Sequence, residues 1–345
     1  MSLTYKEITG QYDALKKTFA LFEEREAALK KFVDSGNFPM IAFIGCGSSF
    51  SLATSMAVTT QMKLARPAVA IAGGDLVLHI ERYRKLLKGA LLVAISRSGS
   101  TSEILNTAEA LKSSDDSVKL LSFTCVENSK LTRKSDLALD MPWAFDESVC
   151  QTRTVTNLYL CGALFAAILS GDQSLKTELK EVIFAGDAYL QKSEPALREA
   201  AALDWDRAVV LGDAELAGIC EEGALTFKEI CQLDSNYYHV LDARHGPIVM
   251  FKPETLVIVA MSDPENEYEQ KLIRDVLAKG CKVVVYSDLP CGIENVINIV
   301  FGTKISHISR GIPFILIPQL ITYYKSLVTG TDPDKPEGLA PWIEL

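Results

Sequence analysis

The chain has 345 residues, 48% of them hydrophobic and 23% charged, and a formal net charge of −9. It has room for about two domains of ordinary size and for large buried cores. The acidic balance argues against nucleic acid and anionic membrane as partners, since both reward basic surfaces. A small phosphorylated ligand is not excluded, because backbone N–H dipoles can hold an anion on an acidic protein.

Residues 2–35 carry helical periodicity with a solvated charged face that includes Glu23, Glu24, Arg25 and Glu26, and they show no apolar signal segment. Asp34-Ser35-Gly36 reads as a stop. Residues 40–44 form a short apolar strand leading into Gly45-Cys46-Gly47-Ser48-Ser49, and helix is expected from about 50 to 64. A strand near Val69 and a helix over 76–84 precede the apolar run that starts at Leu91, too short for a buried helix and suited to a strand covered on both faces. That run ends in Ser96-Arg97-Ser98-Gly99-Ser100-Thr101, with a helix after it over 103–112. A strand over 118–124 and a segment over 136–141 come before a long helix beginning near Thr152. Its apolar run over 155–169 falls short of the ~20 residues of a membrane span and reads as a core helix.

The pattern then starts again. Residues 208–212 echo the first strand and its glycine, 255–261 echo the run from Leu91, and 282–287 echo 119–124. Strands alternating with helices mean a parallel sheet covered on both faces. The expected fold is therefore α/β: two duplicated, doubly wound (flavodoxin-like) parallel-sheet modules with flanking helices. The expected divisions are a helical segment over 1–36, a first module over 37–171, a helical bridge over 172–204, a second module over 205–330 and a tail over 331–345. In the second module the strand region over 248–251 follows the turn Arg244-His245-Gly246-Pro247.

The eight cysteines include no C-x-x-C pair and sit mostly in apolar segments, which fits free thiols in a reducing, cytoplasmic setting. The four histidines make no metal-ligand spacing, and neither a metal nor a cofactor is expected. Gly45-x-Gly47 is not a dinucleotide fingerprint, because the third glycine would fall at Phe50.

The strand-to-helix turn at 96–101 is a ready anion site. Unpaired N–H groups, the positive end of a helix dipole and several hydroxyls converge there. Arg97 could add charge or point away. The second module lacks such a serine cluster, so one phosphate site per chain is expected, and ligands in such sheets sit beyond the carboxyl ends of the strands. In the second half, Lys228-Glu229 lies on a helix beginning near Leu216, and His245 lies in a turn. Taken alone, Glu229 suits a solvated helix face and His245 a loop histidine bonded to a carbonyl.

Four motifs in order change that reading: Cys46-Gly47-Ser48-Ser49, the 96–101 loop, Glu222-Gly-Ala-Leu-Thr-Phe-Lys-Glu229, and His245-Gly246-Pro247. Together they resemble the tandem sugar isomerase (SIS) domain family over essentially the whole chain, and in particular the isomerase half of glucosamine-6-phosphate synthase. The sixteen-residue step from Glu229 to His245 and the opening Lys6-Glu7-Ile8…Gln11 are similar to the same family. Arg97-Ser98-Gly99, Thr124-Cys125 through Leu131 and Arg244-His245-Gly246-Pro247 resemble its tagatose-6-phosphate/galactosamine-6-phosphate isomerase–deaminase group.

The resemblance implies roles. Ser48, Ser49, Ser96, Arg97, Ser98 and Thr101 would hold a substrate phosphate, and Gly47, Val149 and Gln151 would meet the sugar. Glu229 would transfer the C2 proton and His245 would open the ring. A homodimer with shared active sites, each histidine coming from the neighbouring subunit, is implied as well. Two departures stand out. The synthase's glutaminase domain has no counterpart here, so synthesis from glutamine is not expected. The family's tail lysine is also missing, because Leu339-Ala340 is followed by Pro341, and Lys335 cannot be assigned its role. Amino sugar deaminase, plain isomerase and fructosamine 6-phosphate deglycase all remain open, and so does a non-catalytic sugar-phosphate sensor.

Overall fold

The computed structural model describes residues 2–340, and Pro341 with the end of the tail lies outside them. The described chain forms two compact units, one of 10–147 with 153–180, the other of 2–9, 148–152 and 181–339. The N-terminal helical stretch is not continuous. It is α1 (Leu3–Thr9) and α2 (Gln11–Asp34), interrupted at Gly10, whose φ of −88° and ψ of 3° leave the helical region. α2 ends where the sequence stop stands, at Ser35.

The first unit then alternates β1 (Ile41–Gly45), α3 (Ser48–Leu64), β2 (Ala68–Ala72), α4 (Gly73–Tyr83), β3 (Leu91–Ser96), α5 (Ser102–Ser114), β4 (Lys119–Thr124), α6 (Lys130–Lys134), β5 (Leu137–Asp140) and α7 (Arg153–Ser170). Its five strands are parallel in the order β2-β1-β3-β4-β5. β1 and β3 are buried along their whole length, as central strands covered on both faces must be. Alternate β1 side chains serve the two faces. Ala42 and Ile44 join Leu76, Ile104, Ala108 and Leu111 beneath α4 and α5. Phe43 points the other way and meets Phe165 of α7 edge-on, with ring centroids 5.9 Å apart. α7 is the one described helix long and apolar enough to cross a bilayer, and it is 83% buried in the protein.

α8 (Gln173–Ala202) begins in the first unit and ends in the second. The second unit continues with β6 (Arg207–Leu211), α9 (Ala217–Ile230), β7 (Asp234–Tyr238), β8 (Thr255–Ala260), α10 (Glu267–Ala278), β9 (Lys282–Ser287), β10 (Ile297–Val300) and α11 (Gly311–Thr329). Its sheet is parallel in the order β7-β6-β8-β9-β10, the same winding as the first. The expected pair of doubly wound parallel-sheet modules is therefore present.

Three local expectations need correction. Residues 247–250 form a 3-10 turn and not a strand, because Pro247 brings no N–H to a ladder and Gly246 sits at φ +124°. β7 and β10 were not anticipated. α3 begins at Ser48, which places Ser48 and Ser49 inside its first turn.

That early start depends on Gly45. A Cβ there would lie 2.4 Å from the backbone carbonyl carbon and oxygen of Ser49 and 2.8 Å from the N of Phe50. Gly45→Ala should push the first turn of α3 away, cost about 1–3 kcal/mol and lower Tm by several degrees in thermal denaturation. An unchanged Tm would mean the turn has room to spare.

Candidate functional site

β1 and β3 are neighbours in the first sheet, and the chain leaves their carboxyl ends toward different strands, β2 and β4. Such a switch point opens a crevice, and both hydroxyl-rich loops lie on it. After β1, Gly47 adopts φ +53° and ψ −129°, a conformation that favours glycine, and its carbonyl accepts the N–H groups of Phe50 at 2.8 Å and Ser51 at 3.2 Å. Ser48 and Ser49 follow, both buried, and their hydroxyls have no partner among the described residues.

After β3 the loop is organised by its own hydroxyls. Ser96 Oγ accepts the N–H of Gly99 at 3.0 Å and lies 3.2 Å from Thr101 Oγ1. Ser98 Oγ accepts the N–H of Ser100 at 3.2 Å. Gly99 has φ +58°, and a Cβ on it would come within 2.1 Å of Ser129 Oγ. The Gly99 carbonyl accepts the N–H of Leu131 at 2.9 Å, while Ser129 caps α6 by accepting the N–H of Thr132 at 3.1 Å. The Cys125 N–H donates to the Arg97 carbonyl at 3.1 Å. The Thr124-Cys125…Leu131 motif is therefore the frame behind the loop, a role that its residue types do not announce. Arg97 is buried, its guanidinium 5.8 Å from the Phe145 ring centroid. Its charge is offered from within the fold, not from solvent.

The second unit answers with different chemistry at the equivalent loop. After β8, both oxygens of the Glu269 carboxylate accept the Ser262 N–H at 3.0 Å, and one accepts the Asp263 N–H at 3.4 Å. Burial, above all, holds this carboxyl above its ordinary value. The third residue of the following helix is Ile104 in the first unit and Glu269 in the second, so no carboxylate stands at that position behind the first loop.

Glu229 is the penultimate residue of α9. A crossover helix runs antiparallel to its strands, which places Glu229 at the level of their amino ends. The adjacent Lys228 lines a cavity of about 410 Å³ together with Arg207, Asp234 and Thr255, the first residues of β6, β7 and β8. The helix thus carries Glu229 to the edge of its sheet opposite the carboxyl ends of the strands. His245 is exposed, and its N–H donates to the Asp242 carbonyl at 2.9 Å.

Val149 and Gln151 lie in the short strap 148–152, which belongs to the same unit as Glu229. The Val149 N–H donates to the Asp334 carbonyl at 3.0 Å, and in the same tail the Glu337 carbonyl accepts from Gln232 Nε2 at 2.7 Å. Gln232 stands three residues beyond Glu229, so tail, strap and helix end converge. Gln151 Oε1 is enclosed with no hydrogen-bond partner among the described residues, a condition that costs about 1–3 kcal/mol until something donates to it. Lys335 is exposed in the tail. The structure thus groups Gly47, Ser48 and Ser49 with Ser96, Ser98 and Thr101 in one unit, and Val149 and Gln151 with Glu229 and His245 in the other.

Residues 39–168 match the model of the SIS domain family. These residues form a SIS domain. The chain's fold is shared at full length with the crystal structure of glucosamine-6-phosphate deaminase from Thermotoga maritima, at TM-score 0.83 and 26% identity, covering 100% of both chains. The tagatose-6-phosphate ketose/aldose isomerase of Escherichia coli shares the fold at TM-score 0.85 and 21% identity, over 99% of this chain and 96% of that one. By sequence, this SIS-domain protein is 29% identical over 281 residues to the glutamine–fructose-6-phosphate aminotransferase (isomerizing) of Vibrio parahaemolyticus, and 30% identical over 282 residues to that of Haemophilus influenzae. Each match covers 76% of this chain and 46% of the relative, so the chain spans about half the length of these curated relatives.

Two outcomes follow from the serine loops. Ser98→Asp should repel an anion and raise the dissociation constant for inorganic phosphate at least ten-fold in calorimetry, with Tm little changed; undiminished binding would place the anion elsewhere. Cys46, half-buried between the first loop and Gly73, has its thiol pushed up to about 11, by burial first and then by Glu103. It stays protonated below that pH, so iodoacetamide at pH 8 should label it far more slowly than a free thiol, with the rate rising toward pH 11. Rapid labelling at pH 8 would contradict this.

Proposed function

We propose that this protein is a phosphosugar aldose–ketose isomerase acting on an amino sugar 6-phosphate and releasing ketose 6-phosphate and ammonia. The observation that carries the reading is the hydroxyl-lined crevice between β1 and β3, whose donors suit a phosphate without requiring an exposed cation. The full-length likeness to a glucosamine-6-phosphate deaminase supports the deaminating form of the reaction.

In this reading the phosphate lies on Ser48, Ser49, Ser96, Ser98 and Thr101, with Arg97 adding charge from below. Gly47, Val149 and Gln151 line the sugar. His245 moves a proton from the anomeric hydroxyl to the ring oxygen, opening the ring to the aldehyde. Glu229 then takes the C2 proton and the electron pair forms the C1–C2 double bond while the C1 oxygen takes up a proton, giving an enolamine; the same carboxyl delivers the proton to C1 as the nitrogen gives up one of its own and becomes the imine. The product is a 2-imino compound, which water hydrolyses to the 2-ketose and ammonia. No metal or cofactor enters these steps.

We further propose a homodimer in which His245 serves the neighbouring subunit's site. His245 is exposed, and close to it in sequence stand Leu241, Val249 and Met250, 42%, 69% and 57% exposed, an apolar surface suited to contact with a second copy.

The test is release of ammonia and ketose phosphate from glucosamine 6-phosphate, galactosamine 6-phosphate and a fructosamine 6-phosphate. Both products from an aldose-amine substrate, with turnover abolished in Glu229→Gln and substrate affinity kept within a few-fold, are expected. Activity on the fructosamine alone would make the protein a deglycase. Tight binding without turnover of any of the three would make it a sensor.

A further inference from the structure

α1 stands apart from α2, and its contacts explain why the chain needs it. Glu7 is a buried carboxylate whose two oxygens are both taken by one residue, Ser148: the backbone N–H donates to one at 3.2 Å, and the hydroxyl donates to the other. Burying a carboxylate is costly unless each oxygen is satisfied. Ser148, which offers two donors side by side, matches a two-acceptor group as no amide would. The N-terminal end of α1 is held in turn by the Asp334 carboxylate, which accepts the N–H groups of Leu3 at 2.9 Å and Thr4 at 2.8 Å and the Thr4 hydroxyl at 2.8 Å. Asp334 also offers its carbonyl to Val149, and Gln319 Nε2 of α11 donates to the Thr152 carbonyl at 2.8 Å. The strap 148–152 is thus pinned near both ends, while the Gln151 amide oxygen between those pins is enclosed with no donor.

We infer that Glu7 is a positioning residue: through Ser148 it fixes the strap so that the Gln151 amide oxygen is held ready to accept from a sugar hydroxyl. This rests on the phosphosugar reading above. Glu7 takes no part in the chemistry and makes no contact with phosphate, so its loss should weaken recognition of the sugar and spare recognition of the phosphate.

The experiment compares the full-length parent with Glu7→Gln, Gln151→Ala and the double variant. It measures KM and kcat for the amino sugar phosphate turned over, the dissociation constant for inorganic phosphate, and Tm. Glu7→Gln keeps the volume but replaces one acceptor oxygen by a donor. It should raise KM about ten-fold, with kcat and phosphate affinity within two-fold. Gln151→Ala should give a similar rise, and the double variant should add little to either single change, since both remove the same contact. Should Glu7→Gln fail to fold, Ser148→Ala keeps the carboxylate and the backbone donor and should raise KM to a smaller degree. An unchanged KM, an additive double variant, or equal loss of phosphate and sugar binding would overturn the inference alone. A parent that binds inorganic phosphate but neither binds nor turns over any phosphosugar would overturn the functional reading, and the inference with it.

Discussion

The feature on which the rest depends is the divergence of the chain at the adjacent carboxyl ends of β1 and β3. Parallel strands can be joined only through crossovers, and right-handed crossovers leading to opposite sides of a sheet must leave its two central strands on opposite faces. In the first unit α5 packs with α4 on one face, while α7 closes the other through Phe165 against Phe43 and Phe123. The loops that leave the two strands there are 46–49 and 96–101, rich in small and hydroxyl residues. The winding thus brings the hydroxyls of residues 48–49 and 96–101 to the same end of the sheet. Gly45 then lets the first turn of α3 approach β1 closely enough for Ser48 and Ser49 to reach the crevice from within a helix.

The two units share this winding and differ in what they do with it. The N–H groups after β8 are satisfied by Glu269, a carboxylate supplied by the unit's own helix, where the first unit has Ile104. An apolar or an acidic side chain at the third position of that helix is therefore what distinguishes the two loops: the second closes on a carboxylate, and the first closes on its own hydroxyls. The second unit contributes elsewhere, with Glu229 at the opposite edge of its sheet. In the function proposed here a duplicated fold carries two unlike half-functions, which is what separation of fold from site allows.

Central strands were legible in the sequence because burial on both faces leaves only apolar residues, as in LLVAI and TLVIVA. β7, with the sequence DSNYY and side chains alternating between exposed and buried, was not, because an edge strand need not be apolar. The phosphate loop could be read from its hydroxyls and the glycine within it. Its support by Ser129 and Leu131 could not, since a capping serine and a core leucine look the same wherever they occur. The frame of the sugar strap was still harder to read, because Glu7 and Ser148 are 141 residues apart and Thr4 and Asp334 are 330 apart. No local periodicity encodes such pairs. What the sequence did offer was a short motif, Lys6-Glu7-Ile8, whose purpose becomes clear only when its partners are seen.

The proposed anion site, mostly neutral donors with one buried arginine on a chain of net charge −9, has a particular energetic character. Long-range attraction opposes the ligand, so affinity has to come from donors already in place, each contributing a directional bond at little ordering cost. This explains why so much structure is spent on holding the 96–101 loop still: Ser96 on Gly99, Ser98 on Ser100, Gly99 against the α6 cap, and Arg97 fastened both by its carbonyl to Cys125 and by its guanidinium over Phe145. The same logic extends to the strap, whose backbone is tied down while one amide oxygen is left unsatisfied. A site of this kind selects by fit more than by charge, because fixed hydroxyls and N–H groups reward only a ligand whose oxygens match their places.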